Sequence, residues 1–238
     1  MSELGSPHLH LKSVGSTNDR ARELAAAGAP HGTLVSADHQ SSGRGRQGRE
    51  WVAPPASSVL ISLLLREPPE LLPLIAAVAV AEACGPTAQI KWPNDILLAS
   101  DGRPAAKVAG ILCETRPQEN WAVVGIGLNA ALDLELLPSD LRGTAATLGL
   151  RSDERWQLIE RLLGAFEQSL ALPAEAILEQ WRRRDALLGE EISWATGEMP
   201  QSGTATGVSA SGALTVRLLD GSELELNAGE VHLNAAAN

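Results

Sequence analysis

Three arginines and three glycines alternate in the segment SSGRGRQGREW, which spans residues 41–51. The arginines are Arg44, Arg46 and Arg49, and they form a positive island in a chain whose formal net charge is −10. A guanidinium group presents a rigid fork of donors that matches phosphate and carboxylate oxygens. The first question that the sequence raises is therefore which anion, if any, this segment binds.

Three interpretations of the segment compete. The first is a solvated, flexible loop, and the second is an RNA-binding segment of the RG type, although such segments are usually longer, repeated and disordered. A Walker-type phosphate loop is disfavoured, because the Gly-Lys-Ser/Thr ending is absent and no helix follows. The third is a mobile loop whose glycines allow unusual backbone angles and whose arginines pair with phosphate or carboxylate.

Three further segments carry polar residues at the ends of predicted strands. KWPNDILL places Lys91 at the end of a short strand, before a Pro-Asn-Asp turn. KVAGILCE places Lys107 before a buried strand in which Gly110 allows close approach to the backbone. GIGLN, residues 125–129, fails as a dinucleotide fingerprint because it lacks the third glycine and the helix. Each segment alone is compatible with ordinary turns and strand ends.

Together and in this order, these segments resemble the biotin–protein ligases over nearly the whole chain. The resemblance implies that biotin and ATP form biotinyl-5′-AMP and that the biotinyl group then passes to a lysine of a biotin carboxyl carrier protein. It implies Mg²⁺ with ATP. The five histidines lack ligand spacing with Cys, Asp or Glu, so the sequence itself predicts no structural metal site. Because the Ser-Thr-Asn segment begins at residue 16, we expect the branch without an N-terminal DNA-binding domain, and no role as a transcriptional repressor.

The resemblance also implies the site residues. Lys91 and Arg46 are expected to be catalytic. The expected biotin-binding residues are Ser16, Thr17, Asn18, Gln40, Arg44, Gly45, Arg46 and Lys91. The residues expected to contact ATP or the adenylate are Gly43, Arg44, Arg46, Arg49, Trp51, Asn94, Lys107 and Asn129. Two departures from the family pattern are Gln47, where a basic residue is common, and Ala130–Ala131 after Asn129.

Two other functions stay open at this point. A lipoate- or octanoate-type protein ligase or transferase of related fold is disfavoured, because those families use a different glycine-rich signature. A non-catalytic module that binds a nucleotide or RNA would explain the arginines without any chemistry.

The elements that must position these residues follow from the hydrophobic pattern. Strand-like and helix-like runs alternate over about the first 170 residues, and LLPLIAAVAVAEACG is apolar on every side, which is typical of a buried helix. After Gly189, short segments with turn residues every 8 to 12 positions predict a small all-β unit. We expect an α+β fold: a central mixed sheet flanked by helices in residues 1–187, and a small SH3-like β-barrel in residues 188–238.

Composition excludes several classes of protein. A sequence pI near 5.0 argues against a nucleic-acid partner. No signal peptide is visible, and the longest apolar run, Leu71–Ala81, is too short to span a bilayer. The two cysteines favour a reducing cytoplasm. We therefore expect a cytoplasmic monomer or homodimer that acts without a membrane or nucleic acid.

Overall fold

The computed structural model describes residues 4–99, 104–196, 199–227, 229 and 231–233. Within these residues, a seven-stranded mixed sheet with helices on both faces is followed by a five-stranded antiparallel sheet. The predicted α+β fold is confirmed. The predicted division after residue 187 remains a prediction.

The large sheet runs in the order β1-β2-β3-β7-β6-β5-β4. Its strands are β1 His8–Leu11, β2 Leu34–Ala37, β3 Ser58–Arg66, β4 Gln89–Lys91, β5 Asp95–Leu98, β6 Ala106–Arg116 and β7 Trp121–Asn129. Strands β1 and β2 pair in parallel, whereas the other neighbouring strands of the sheet are antiparallel. Sequence reasoning missed β1, because its alternating pattern HLHL is only four residues long.

The α-helices of the described residues are α1 Thr17–Ala26, α2 Leu72–Cys84, α3 Ser139–Arg142, α4 Arg155–Leu170 and α5 Ala174–Arg182. Helix α1 packs against β2, β3 and β7, whereas α2 packs against β4, β5 and β6 and is covered by α4 and α5. The prediction that α2 is buried all round is confirmed, since ten of its side chains are buried. The two helices lie on opposite faces, because Leu63 packs in the α2 core and Leu64 in the α1 core.

The second sheet has the order β11-β10-β9-β8-β12 and is antiparallel throughout. Its strands are β8 Glu191–Thr196, β9 Met199–Val208, β10 Leu214–Arg217, β11 Glu223–Leu226 and β12 Val231–Leu233. The connection from α5 pairs with the edge of the large sheet, where Ile90 N–H donates to Arg184 O at 2.7 Å. The Trp92 indole N–H donates to Gly212 O at 3.2 Å, which ties the second sheet to the first.

Candidate active site

The cavity on which most of the predicted site residues converge, called the main cavity below, lies over the middle of β6 and β7. Its walls are the start of α1, the arginine loop (residues 43–51) and the turn between β4 and β5, with Val231 contributed by β12 and Gly229 by the segment before it. The space open to water-sized molecules is about 120 Å³. All but two of the predicted site residues line it: Ser16, Thr17, Asn18, Gln40, Arg44, Gly45, Arg46, Arg49, Trp51, Lys91, Asn94 and Lys107.

Glycines in β6 and β7 form the floor of the cavity, since side chains from other elements lie directly on their backbone. A Cβ atom on Gly125 would lie 2.0 Å from Asn18 Oδ1, and one on Gly127 would lie 2.5 Å from the Trp51 ring. Gly110 is similar, with the Trp51 ring at 3.0 Å. Close approach to the backbone was predicted at Gly110, where an added Cβ atom would be in tight contact, and the structure shows closer approach still at Gly125 and Gly127.

The arginine loop is a closed turn. Gly45 N–H donates to Arg49 O at 2.7 Å, and Trp51 N–H donates to Gly43 O at 3.0 Å. A left-handed backbone occurs at Gln47 (φ 55°) and Gly48 (φ 76°). Of the three loop glycines, which were expected to allow unusual angles, Gly48 alone has a positive φ in this conformation.

Gly43 is required for a different reason, which is close packing. A Cβ atom there would lie 2.5 Å from Trp51 O. Gly43 faces an adjoining cavity lined by the arginine loop, Leu112 and Glu114. The structure therefore places it beside the main cavity, outside its lining.

The Ser-Thr-Asn segment begins α1, but its side chains are used in the site. Ser16 occupies the N-cap position, and within the described residues its side chain makes no capping bond. The Thr17 backbone N–H and hydroxyl both donate to Gln40 Oε1, at 2.7 and 2.9 Å. The Ser62 hydroxyl on β3 lies 2.8 Å from Thr17 Oγ1 and 2.6 Å from Asn18 Oδ1. The side chains of Thr17, Asn18, Gln40 and Ser62 therefore form one hydrogen-bonding network.

Two cations at the cavity are neutralised by carboxylates. Arg44 Nη2 lies 2.7 Å from Glu114 Oε2 and 3.4 Å from Asp19 Oδ1. Lys107 Nζ lies 2.7 Å from Asp95 Oδ1 and 5.6 Å from the centre of the Trp51 ring. The positive charges of Arg44 and Lys107 are therefore largely balanced by these carboxylates.

Two other cations, Arg46 and Lys91, make no ion pair with any residue that the structure describes. Burial lowers the pKa of Arg46, while Asp95 and Cys113 act to raise it. Burial is also the largest influence on Lys91; Asp95 acts to raise its pKa, Lys107 and Arg49 to lower it, and the net pKa is lowered. Partly buried cations that lack an ion pair favour the binding of an anion. The cavity lining therefore suits a ligand with an anionic group and an uncharged polar group.

Asn94 and Asn129 hold the backbone around the cavity. Asn94 Nδ2 donates to Ile111 O at 3.0 Å, and Ile111 N–H donates to Asn94 O at 2.9 Å, which fixes the turn after Lys91. Asn129 lies outside the cavity lining and is buried, with its Nδ2 donating to Ala146 O at 3.0 Å. Residue 146 in turn pairs with Lys107, through Ala146 N–H to Lys107 O at 2.8 Å. Asn129 therefore supports the loop beside Lys107.

Sequence reasoning missed three residues that hold this site, namely Ser62, Asp95 and Glu114. Ser62 carried a signal, since a lone hydroxyl inside the apolar run VLISLLL must find a partner when it is buried. Asp95 and Glu114 carried none, because only the folded chain brings them next to Lys107 and Arg44.

The described residues contain neither a membrane-spanning helix nor a cluster of metal ligands. Among them, no helix has the length and apolar character needed to cross a membrane. The same part of the chain contains no group of three or more His, Cys, Asp or Glu side chains suited to a metal ion.

The chain matches known proteins in both of its parts. Residues 11–130 match the model of the biotin/lipoate A/B protein ligase family, and residues 187–233 match the biotin protein ligase C-terminal domain. The biotin–[acetyl-CoA-carboxylase] ligase of Paracoccus denitrificans is 34% identical over 229 residues, which cover 87% of this chain and 92% of that protein. The chain belongs to the biotin/lipoate A/B protein ligase family.

Other similarities agree with the assignment. The chain is 37% identical over 180 residues to the bifunctional ligase/repressor BirA of Bacillus spizizenii, covering 69% of this chain and 54% of that protein. The chain thus spans about half the length of the first curated relatives that it matches. A structure of the Aquifex aeolicus biotin protein ligase in complex with biotin and ATP has a TM-score of 0.78 and 27% identity, covering 97% of this chain and all of that chain. The predicted resemblance to the biotin–protein ligases is confirmed.

Proposed function

We propose that this family member is an ATP-dependent biotin–protein ligase that forms biotinyl-5′-AMP and transfers the biotinyl group to a lysine of a biotin carboxyl carrier protein. The observation that carries the proposal is the chemistry of the residues that share the cavity lining. Arg46 and Lys91 contribute positive charge, and Thr17, Asn18 and Gln40 contribute uncharged hydrogen-bonding groups. Biotin has a group that suits each set, a carboxylate and a ureido ring.

In the first step, a biotin carboxylate oxygen attacks the α-phosphorus of ATP and pyrophosphate leaves. Two anions must approach each other, which is costly in a dry site unless cations lie at the same place. Lys91 and Arg46 supply that positive field, because neither makes an ion pair with a described residue, although the charge of Asp95 acts on both. We propose that Mg²⁺ enters with ATP and is held mainly by the phosphates, since Mg²⁺ commonly needs only one or two protein carboxylates.

In the second step, a neutral lysine amine of the carrier attacks the biotinyl carbonyl, and AMP leaves. The same two cations favour the neutral amine, because a positive environment lowers the pKa of an incoming ammonium group. The intermediate is a mixed anhydride that water would hydrolyse, so the site must exclude solvent until the carrier lysine reacts with it. The closed turn of the arginine loop and the Trp51 ring over Gly127 form a wall for this purpose.

The proposal is tested by incubating the chain with ATP, Mg²⁺, biotin and a biotin carboxyl carrier domain, and by measuring the mass of the carrier. We expect one biotinyl group on one lysine, and none when that lysine is replaced by arginine. Parallel reactions with lipoate and octanoate address the related ligases. Transfer of either acid in preference to biotin would contradict the proposal.

A further inference from the structure

A continuous chain of hydrogen bonds joins Gln40 and Thr17 in the cavity lining to the arginine loop. Gln40 bonds to Thr17, and the Ser62 hydroxyl bridges Thr17 and Asn18. The chain then continues from Asn18 Nδ2 to Glu114 Oε2 at 2.8 Å. It ends where Arg44 Nη2 donates to both oxygens of Glu114, each at 2.7 Å.

Glu114 is the junction of this chain. It lies on β6, and donors reach it from two other elements, since Arg22 and Asn18 belong to α1 and Arg44 belongs to the loop. Burial acts to raise the pKa of Glu114, but hydrogen bonds from Asn18 and Arg44 and the charges of Arg44 and Arg22 outweigh it, so the net pKa is lowered. The carboxylate is therefore ionised at neutral pH and accepts all three donors.

The hydrogen bonds of this chain also decide which way two amides point: Glu114 orients Asn18, and Thr17 orients Gln40. Asn18 Nδ2 donates to Glu114 and to Leu112 O, at 2.8 and 3.2 Å. Its Oδ1 accepts one bond, from the Ser62 hydroxyl at 2.6 Å, and can accept a second from a ligand donor. Gln40 Oε1 already accepts two bonds from Thr17, so the Gln40 amide nitrogen is the group left for a ligand acceptor. A ureido ring requires this pairing, because it has N–H donors beside a carbonyl acceptor.

We propose that Glu114 is a positioning residue that orients the Asn18 amide for ring recognition and, through Arg44, holds the arginine loop over the same ligand. The inference rests on the proposed function, because it names biotin as the ligand whose ring is read. Ring recognition and loop closure then depend on one carboxylate, and removing it weakens both.

The test is the dissociation constant of biotin in the absence of ATP, measured by equilibrium dialysis with wild type and Glu114→Gln. The amide keeps the shape but presents a donor to Arg44 or Asn18 in place of an acceptor, so we expect the Kd to rise about 10-fold. In turnover assays, KM for biotin should rise by a larger factor than kcat falls. The matched control is Glu82→Gln, which removes a carboxylate paired with Arg184 outside the cavity, and its Kd should equal that of wild type.

A double-mutant cycle separates positioning from a general loss of structure. Arg44→Gln should weaken biotin binding in the wild-type background and have a clearly smaller effect in the Glu114→Gln background, because the contact is already lost. Equal effects in both backgrounds, or a wild-type Kd in Glu114→Gln, would overturn the inference. If Glu114→Gln fails to fold, a wild-type Kd in Arg44→Gln alone overturns it. Failure of wild type to bind biotin would instead contradict the proposed function.

Discussion

Lys91 and Lys107 enter the same cavity, but only Lys107 has a carboxylate within ion-pair distance among the described residues. We therefore predict that Lys91→Ala lowers the rate of adenylate formation by about 10²-fold or more at saturating substrates. Lys107→Ala should mainly raise KM for ATP, since its charge is already balanced by Asp95. Single-turnover measurement of biotinyl-5′-AMP checks both values, and wild-type turnover in Lys91→Ala would remove this lysine from the catalytic residues.

Residue types and spacing predicted which side chains meet, because motifs that are far apart in sequence share one family pattern. They did not predict how charge is distributed among them. Arg44 and Arg46 are equivalent in the sequence, yet Arg44 is bound by Glu114 and Asp19, and Arg46 has no ion pair in the described part of the chain. That difference arises because β6 and α1 bring Glu114 and Asp19 next to Arg44. A local sequence pattern does not predict which strand and helix will lie beside the loop.

Among the elements of the fold, β7 places Gly125 under Asn18. We predict that Gly125→Ala lowers biotin affinity by about 10-fold or more, because the new methyl group would overlap Asn18 Oδ1 and force the amide to move. Isothermal titration with biotin measures the effect. The control is Gly164→Ala on α4, where no atom of the described residues lies within 4 Å of the added carbon; helix propensity predicts equal or slightly higher stability. Unchanged affinity in Gly125→Ala would show that this contact does not shape the pocket.

A second element, the connection from α5, crosses the edge of the large sheet at Asp185. One oxygen accepts from Leu187 N–H at 2.8 Å, whereas Oδ2 is buried and has no hydrogen-bond partner among the described residues. Burial raises the pKa of Asp185 to about 6 from an ordinary value of 3.8, against the opposing effect of backbone hydrogen bonds from Leu187 and Leu188. The contribution of this raised pKa to the free energy of unfolding is therefore fully present below pH 3.8. It is lost as the pH rises through about 6.

Asp185→Asn should remove this pH dependence, because the amide stays neutral and its oxygen still accepts from Leu187. At pH 8 we expect Tm to rise by roughly 2–4 °C, the shift that about 1 kcal/mol gives in a chain of this size. The gain should be absent at about pH 3.5, below both pKa values. Thermal unfolding at the two pH values measures the difference, and an equal change at both would show that Asp185 does not titrate across this range.

Most elements could be predicted from the sequence because their patterns are strong. The buried strand β3, the all-apolar helix α2 and the short strands after Gly189 are examples. Strand β1 was missed because four residues are too few for a periodic signal, and it depends on parallel pairing with β2. The three glycine contacts of the cavity floor were predicted only in part, since a strand glycine does not reveal which side chain will lie on it.

In the molecule as a whole, a hydrophobic core extends through both sheets. Trp194, Leu214 and Val231 of the second sheet belong to the same buried cluster as Ile90 and Trp92 of the first. We therefore predict a single cooperative unfolding transition by calorimetry, with equal calorimetric and van't Hoff enthalpies. Two resolved transitions would show that the sheets unfold independently and that Trp92 does not couple them.

The proposed reaction depends on the charges of Arg46 and Lys91, which bring a biotin carboxylate and ATP together. Exchange of labelled pyrophosphate into ATP measures this directly, because it follows the first step without any carrier protein. We predict exchange that requires biotin and Mg²⁺ in wild type, and a loss of about 10²-fold or more when either cation is replaced by alanine. Biotin-independent exchange, or wild-type exchange in the variant that lacks both Arg46 and Lys91, would contradict this mechanism.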